Sequence, residues 1–182
     1  MVGLKNTPIG ELLGGFKVVV WNRDHANQLY STGFYGRPIG DPRPRKGVDP
    51  PLVLDLIEAY YLAQRRALRV LQGGRELTAP EVAEAARGFQ GFQEKSRVYK
   101  ELRDKGYVVT PGLKYGCDFA VYEHGPGIDH APYLVDVAKP GTPLTATQIL
   151  RTGRLATTVR KAFVLAVVDQ GVDFVEFNWW RP

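Results

Sequence analysis

The chain has 182 residues, 44% of them hydrophobic, with three Trp and nine Tyr, which excludes a disordered chain and leaves one globular domain or two small ones. Its formal net charge is +5 and its pI near 9.3, a balance that leans toward polyanionic partners without establishing one. No run of about eighteen apolar residues is present to cross a membrane, the opening MVGLKNTPIGELLGG has no basic-then-apolar leader pattern, and the single Cys117 rules out an internal disulfide; an intracellular, cytoplasmic protein is expected.

In chain order, KVVVW (17–21) reads as a short strand and ANQLYSTGFYG (26–36) as a strand and turn rich in aromatics and Gly. Residues 37–51, RPIGDPRPRKGVDPP, read as a long loop that packs no core and carries a first basic cluster, Arg43, Arg45 and Lys46. LVL (52–54) is a brief strand. Asp55, with Glu58 three residues on, caps a helix reaching about Ala63. Thr78 and Glu81 form a second capping box, with Leu77 and Val82 as its staple and Pro80 in the first turn, for a helix to about Gly88. Over 93–105, Tyr99 and Leu102 share one helical face, and Gly106 ends it. A boundary near residue 90 divides a small mixed N-terminal domain, 1–90, from a second domain, 91–182.

The second half alternates differently. YVVTPG (107–112), YGCDFAVYEH (115–124) and PYLVDVA (132–138) read as strands. Thr145 and Gln148 cap a helix to roughly Val159. AFVLAVVD (162–169) has the apolar continuity of a strand buried on both faces, and GVDFVEFNWW (171–180) closes the chain as a last strand. A second basic cluster runs through Arg151, Arg154, Arg160 and Lys161. The expected fold class is α/β (α+β), with a mixed sheet in the second domain. No glycine-rich phosphate loop follows a strand, so nucleotide binding has no support.

For chemistry, no G-x-S-x-G is present, and Cys117 reads as a small buried strand residue. No CxxC or His/Cys cluster supports zinc. Asp118 and Asp136 with Lys139 resemble a magnesium-binding nuclease set, although two residues separate Asp136 from Lys139 where the usual pattern has one. Tyrosine, histidine and lysine remain. RNA carries its own nucleophile, the ribose 2′-hydroxyl. Cutting it needs a base for the 2′ proton, an acid for the leaving 5′ oxygen and a cation for the phosphorane charge. Histidine suits the acid and lysine the cation. Tyrosine, with an ordinary pKa of about 10, needs neighbouring positive charge to serve as base, and Lys114 and Lys161 are candidates for it. The residues permit this chemistry without demanding it. Tyr115 as a packed strand residue and His130 as a loop histidine remain open.

At these positions the chain resembles the archaeal tRNA-splicing endonuclease family. The match runs through KELRDKGYVV (100–109), GLKYGCDFAVY (112–122), HAPYLV (130–135) and RLATTVRK (154–161), with looser similarity at GELLGGFKVVV and LYSTGFYGRP. The resemblance implies a C-terminal domain of restriction-endonuclease type and cleavage of precursor tRNA at bulge–helix–bulge junctions. It implies no metal or cofactor, and 2′,3′-cyclic phosphate and 5′-hydroxyl ends. It also implies Tyr115 as general base, His130 as acid and Lys161 as the stabilising cation, with His124 outside the motif. Arg154 and, at the C-terminus beside Trp180, Arg181 match the arginine pair that grips a bulge nucleotide.

The family's members assemble as four-unit particles through an acidic loop, here Asp169 to Asp173, and through edge pairing of the last strand. The loop at 40–48 is similar to an insertion of heteromeric, broad-specificity catalytic subunits, where a lysine helps bind RNA. Lys46, with Arg45 next to it, is matched to that role. A heterotetramer with a second, non-catalytic subunit is expected over a homotetramer. A structural subunit of the same particle and a metal-dependent nuclease are the alternatives.

Overall fold

The computed structural model describes residues 7–40, 44, 47–158 and 161–177. The chain divides into two compact units, Met1–Phe92 and Gln93–Pro182, each built on its own sheet.

In the first unit β1 (Ile9–Leu13) pairs antiparallel with β2 (Lys17–Val20), burying Leu12, Val18, Val19 and Val20. Residues 26–36 depart from the expected strand: most of them belong to helix α1 (Arg23–Gly33). The helix starts upstream of the aromatic stretch, where the Asn22 side chain accepts the His25 N–H at 3.0 Å. It ends at Phe34, left-handed at φ 55, whose N–H donates to the Tyr30 carbonyl at 2.8 Å. Only Ala26 and Leu29 are buried along it. The strand-like aromatics therefore sit at the half-exposed end, and capping outweighed β-propensity.

The segment expected to be a bare loop also contributes to the core. β3 (Arg37–Pro38) pairs with β4 (Leu52–Asp55), and Val48 is buried. Asn27 of α1 clasps Val48 by both backbone groups, accepting its N–H at 2.7 Å and donating to its carbonyl at 3.0 Å. Helix α2 (Leu56–Gln64) opens on the Asp55–Glu58 capping box. Glu58, itself buried, takes the N–H groups of Asp55 and Gly36 at 3.1 and 3.0 Å.

A hairpin that the sequence reading passed over follows, β5 (Arg69–Gln72) and β6 (Arg75–Leu77). Its turn is Gly73-Gly74, both at positive φ, the two-residue chemistry that favours a tight hairpin. Glu81 of α3 (Ala79–Glu84) accepts the N–H and the hydroxyl of Thr78 at 2.7 and 2.8 Å. The sheet order is β3-β4-β2-β1-β5-β6, with β1 and β5 its parallel pair.

Helix α4 (Phe92–Asp104) buries Phe92, Ser96, Tyr99 and Arg103, the spacing of one helical face. Arg103 is satisfied inside by the Tyr99 hydroxyl at 2.9 Å and the Val109 carbonyl at 3.1 Å. The second sheet runs β11-β10-β9-β8-β7, from β7 (Val108–Pro111), β8 (Phe119–Tyr122), β9 (Tyr133–Ala138), β10 (Ala162–Val168) and β11 (Val172–Phe177). Helix α5 (Ala146–Thr158) is the crossover that lets β9 and β10 lie parallel. Every other pairing in this sheet is antiparallel. Both sheets are mixed, in keeping with the α/β reading.

Candidate active site

Tyr115 is not a strand residue, contrary to the sequence reading. It closes a 3-10 turn, Leu113–Tyr115, between β7 and β8. Its N–H donates to the Gly112 carbonyl at 2.8 Å, and Gly112 in turn donates to the Asp118 carbonyl at 2.9 Å. Gly116 follows at φ 69, a conformation costly for a residue with a Cβ. This tight double turn lifts the ring off the strand path, so that it packs on the core of Ala120, Ala131, Leu134 and Phe163.

Cys117 lies in the same turn and only half-buried, not in the strand. Its thiol donates to the Phe119 and Gly112 carbonyls at 3.3 and 3.6 Å. Burial first, then the charges of Asp136 and Asp118, push it up to about 12, so the thiol stays protonated at neutral pH and lacks the thiolate that a nucleophile needs.

His130 is exposed and stands just before β9. The loop leading to it is tied by Asp129, whose carboxylate accepts the N–H groups of Gly125, His124 and Glu123 at 2.7, 3.2 and 3.0 Å. Burial alone would raise the Asp129 carboxyl. The three donors and the charge of His124 outweigh it and hold the group below its ordinary value. Asp129 went unnoticed in the sequence. The signal for it was an Asp closing a Gly-Pro-Gly-Ile run, the place for a side chain that bonds its own loop.

Lys161 leads into β10, where the Ala162 N–H donates to the Pro132 carbonyl at 2.8 Å. Its ammonium lies 5.4 Å from the centre of the Tyr115 ring and donates to the carbonyl of Ala131, the residue after His130. Burial, opposed by Asp129 and assisted by Lys114, holds it below the ordinary lysine value. One ammonium thus joins the turn that carries Tyr115 to the backbone that carries His130. Parallel pairing of β9 with β10 produces this, because it sets the starts of both strands side by side.

The acidic pair has other partners. Asp118 bridges Lys95 at 2.7 Å and accepts the Val137 N–H at 2.9 Å, while Asp136 accepts the Asp118 N–H at 3.0 Å. Lys139 pairs with Glu94 instead, at 2.8 Å. These contacts fasten α4 and the two strand ends, a use for both carboxylates and the lysine that the magnesium pattern did not anticipate.

A family model described as the tRNA intron endonuclease catalytic C-terminal domain matches residues 92–176, and its N-terminal domain counterpart matches 9–83. The chain belongs to the tRNA intron endonuclease family. It is 43% identical over 180 residues to the tRNA-splicing endonuclease of Hyperthermus butylicus, covering 96% of this chain and 99% of that one. Against the tRNA-splicing endonuclease of Pyrobaculum aerophilum it is 44% identical over 178 residues, 93% and 97% of the two chains. The counterpart from Saccharolobus islandicus, strain M.14.25, is 41% identical over 175 residues, 92% and 96%.

As an endonuclease of this family the chain has Tyr115, His130 and Lys161 inside the matched catalytic domain. Arg154 lies exposed on α5. Asp169 and Asp173 are exposed at the turn between β10 and β11. Arg97 of α4 holds that turn by the carbonyls of Asp169 and Gln170, both at 2.6 Å, and leaves the two carboxylates outside any ion pair among the described residues. Arg45, Lys46, Trp180 and Arg181 lie outside the described residues. No described helix is long and apolar enough to cross a membrane.

Proposed function

We propose that the chain is the catalytic subunit of a tRNA-splicing endonuclease that excises introns from precursor tRNA at bulge–helix–bulge junctions without a metal. Tyr115 takes the proton of the ribose 2′-hydroxyl, the 2′ oxygen attacks the adjacent phosphorus, and the P–O5′ bond breaks. His130 delivers a proton to the leaving 5′ oxygen. Lys161 faces the charge that gathers on the phosphorane oxygens. The ends are a 2′,3′-cyclic phosphate and a 5′-hydroxyl. The observation that carries this reading is the Lys161 ammonium, set 5.4 Å from the Tyr115 ring and bonded to the carbonyl beside His130. Arg154 and Arg181, with Trp180, grip a bulge nucleotide, and Lys46 and Arg45 add contacts to the RNA backbone.

The active particle is a heterotetramer with a second, non-catalytic subunit. The Asp169–Asp173 turn docks on a basic pocket of a neighbour. β11 pairs along its free edge with another subunit, which would cover Val175, half exposed on that edge.

Cleavage of a bulge–helix–bulge RNA in excess chelator tests the chemistry. The expected result is an unchanged rate, with Tyr115→Phe and His130→Ala each slowing cutting by roughly 10²–10⁴-fold. Loss of activity in chelator, or full cutting by either variant, overturns it.

A further inference from the structure

We propose that Lys114 is a substrate-binding residue of the cleavage site, gripping an anionic oxygen of the RNA backbone next to the phosphate that is cut. The proposal rests on the reading of Tyr115, His130 and Lys161 given above and adds a contact which that reading does not contain.

The second unit has six lysines: Lys95, Lys100, Lys105, Lys114, Lys139 and Lys161. Four of them are neutralised locally, by Asp118, Asp104, Glu101 and Glu94 respectively for Lys95, Lys100, Lys105 and Lys139. Among the described residues Lys114 and Lys161 have no carboxylate in contact. Those two share one neighbour, the Tyr115 ring, at 5.7 and 5.4 Å from its centre. The charge of Lys114 counts against the protonated form of Lys161, so the pair repel across the site. Asp129 acts on Lys161 from nearby, but its carboxylate is engaged by three backbone donors. A surface that gives its other lysines a carboxylate and leaves these two without one around a single phenol lacks an anion.

The turn itself faces outward. Leu113, beside Lys114, is 87% exposed, the most open large apolar side chain among the described residues. Apart from its cation–π contact with the Tyr115 ring, the Lys114 side chain has no hydrogen bond or ion pair to a described group. Lys161 is committed to the Ala131 carbonyl as well as to the reacting phosphate. Lys114 is free to reach a second phosphate, which on a polynucleotide is always available one nucleotide away. Each such contact releases counterions and leaves a measurable mark on the salt dependence of binding.

The test measures binding and cutting of a bulge–helix–bulge RNA by the full chain, assembled with its partner subunit, over a range of salt. Lys114→Gln is expected to raise KM and Kd several-fold with kcat within about threefold, the signature of a contact made equally before and during reaction. It should also lower the slope of log Kd against log salt by about one. Lys114→Arg should keep both slope and affinity. Unchanged KM and slope in Lys114→Gln overturn the proposal. A fall in kcat with KM and slope unchanged also overturns it, since Lys114 would then act through Tyr115. The slope is read on binding alone, so it stands apart from the triad: full cutting by His130→Ala would sink the catalytic roles and leave this measurement intact.

Discussion

Each catalytic candidate owes its place to a neighbour that does no chemistry. Tyr115 depends on Gly112 and Gly116, His130 on the Asp129 carboxylate, and Lys161 on the Ala131 carbonyl. Cys117 shows how closely this surrounding is drawn. Its thiol, pushed up to about 12 by burial and by Asp136 and Asp118, stays protonated at pH 8. Folded protein should therefore react with a thiol reagent at pH 8 far more slowly than urea-unfolded protein. A raised thiol contributes stability below its unfolded value, about 9, and loses it as pH climbs toward 12, so Cys117→Ser should flatten the fall in melting temperature over that range. Rapid labelling of the native chain would contradict the burial argument.

At the level of single elements, the turn that carries Tyr115 is a small device between two strands. A Cβ on Gly112 would meet the Cys117 sulfur at 2.5 Å, the Cys117 carbonyl oxygen at 2.7 Å and the Phe119 carbonyl carbon at 2.9 Å. Two of those three atoms are backbone, so they yield only if the turn moves. Gly112→Ala should destabilise the chain by about 1–3 kcal/mol. It should also lower kcat by about 10²-fold, because a displacement near 1 Å of a reacting group is that costly. Gly14→Ala, where a Cβ meets nothing within 4 Å, is the control. Thermal melting and single-turnover cutting measure both effects, and wild-type kcat in Gly112→Ala would show that the turn does not aim Tyr115. Local signals predicted some elements well. The Asp55–Glu58, Thr78–Glu81 and Thr145–Gln148 boxes all open helices. They failed at α1, where Asn22 and Phe34 supply caps outside the aromatic stretch, and at Tyr115, where a turn closed by Gly116 takes the start of the strand expected over 115–124.

At the scale of the whole molecule, the two carboxylates of the 169–173 turn stand outside any ion pair among the described residues, with Arg97 bonded to the turn's carbonyls instead, and the assembly proposed above uses them to dock on a neighbour. Charge reversal of both, Asp169→Lys with Asp173→Lys, should leave the chain folded and prevent assembly, as read by sedimentation. Cutting should be lost with it. The isolated wild-type chain should cut nothing until a second, non-catalytic protein is added. Full activity of the chain alone would defeat the heteromer.

The α/β class, several capped helices, the apolar strand at 162–168 and, through motifs shared with a family, the three residues to watch are all legible along the chain. Those properties are local, being set by spacing and side-chain type along a few turns of chain. That Lys161 meets both the Tyr115 ring and the backbone beside His130 is visible only once the chain is folded. That meeting requires β9 and β10 to run parallel with their starts aligned, a register set by crossover helix α5 and by a buried face spanning residues far apart in the chain. The bonds that hold these residues, from Asp129 to its loop and from Gly112 to Asp118, are likewise made only once the chain has closed on itself.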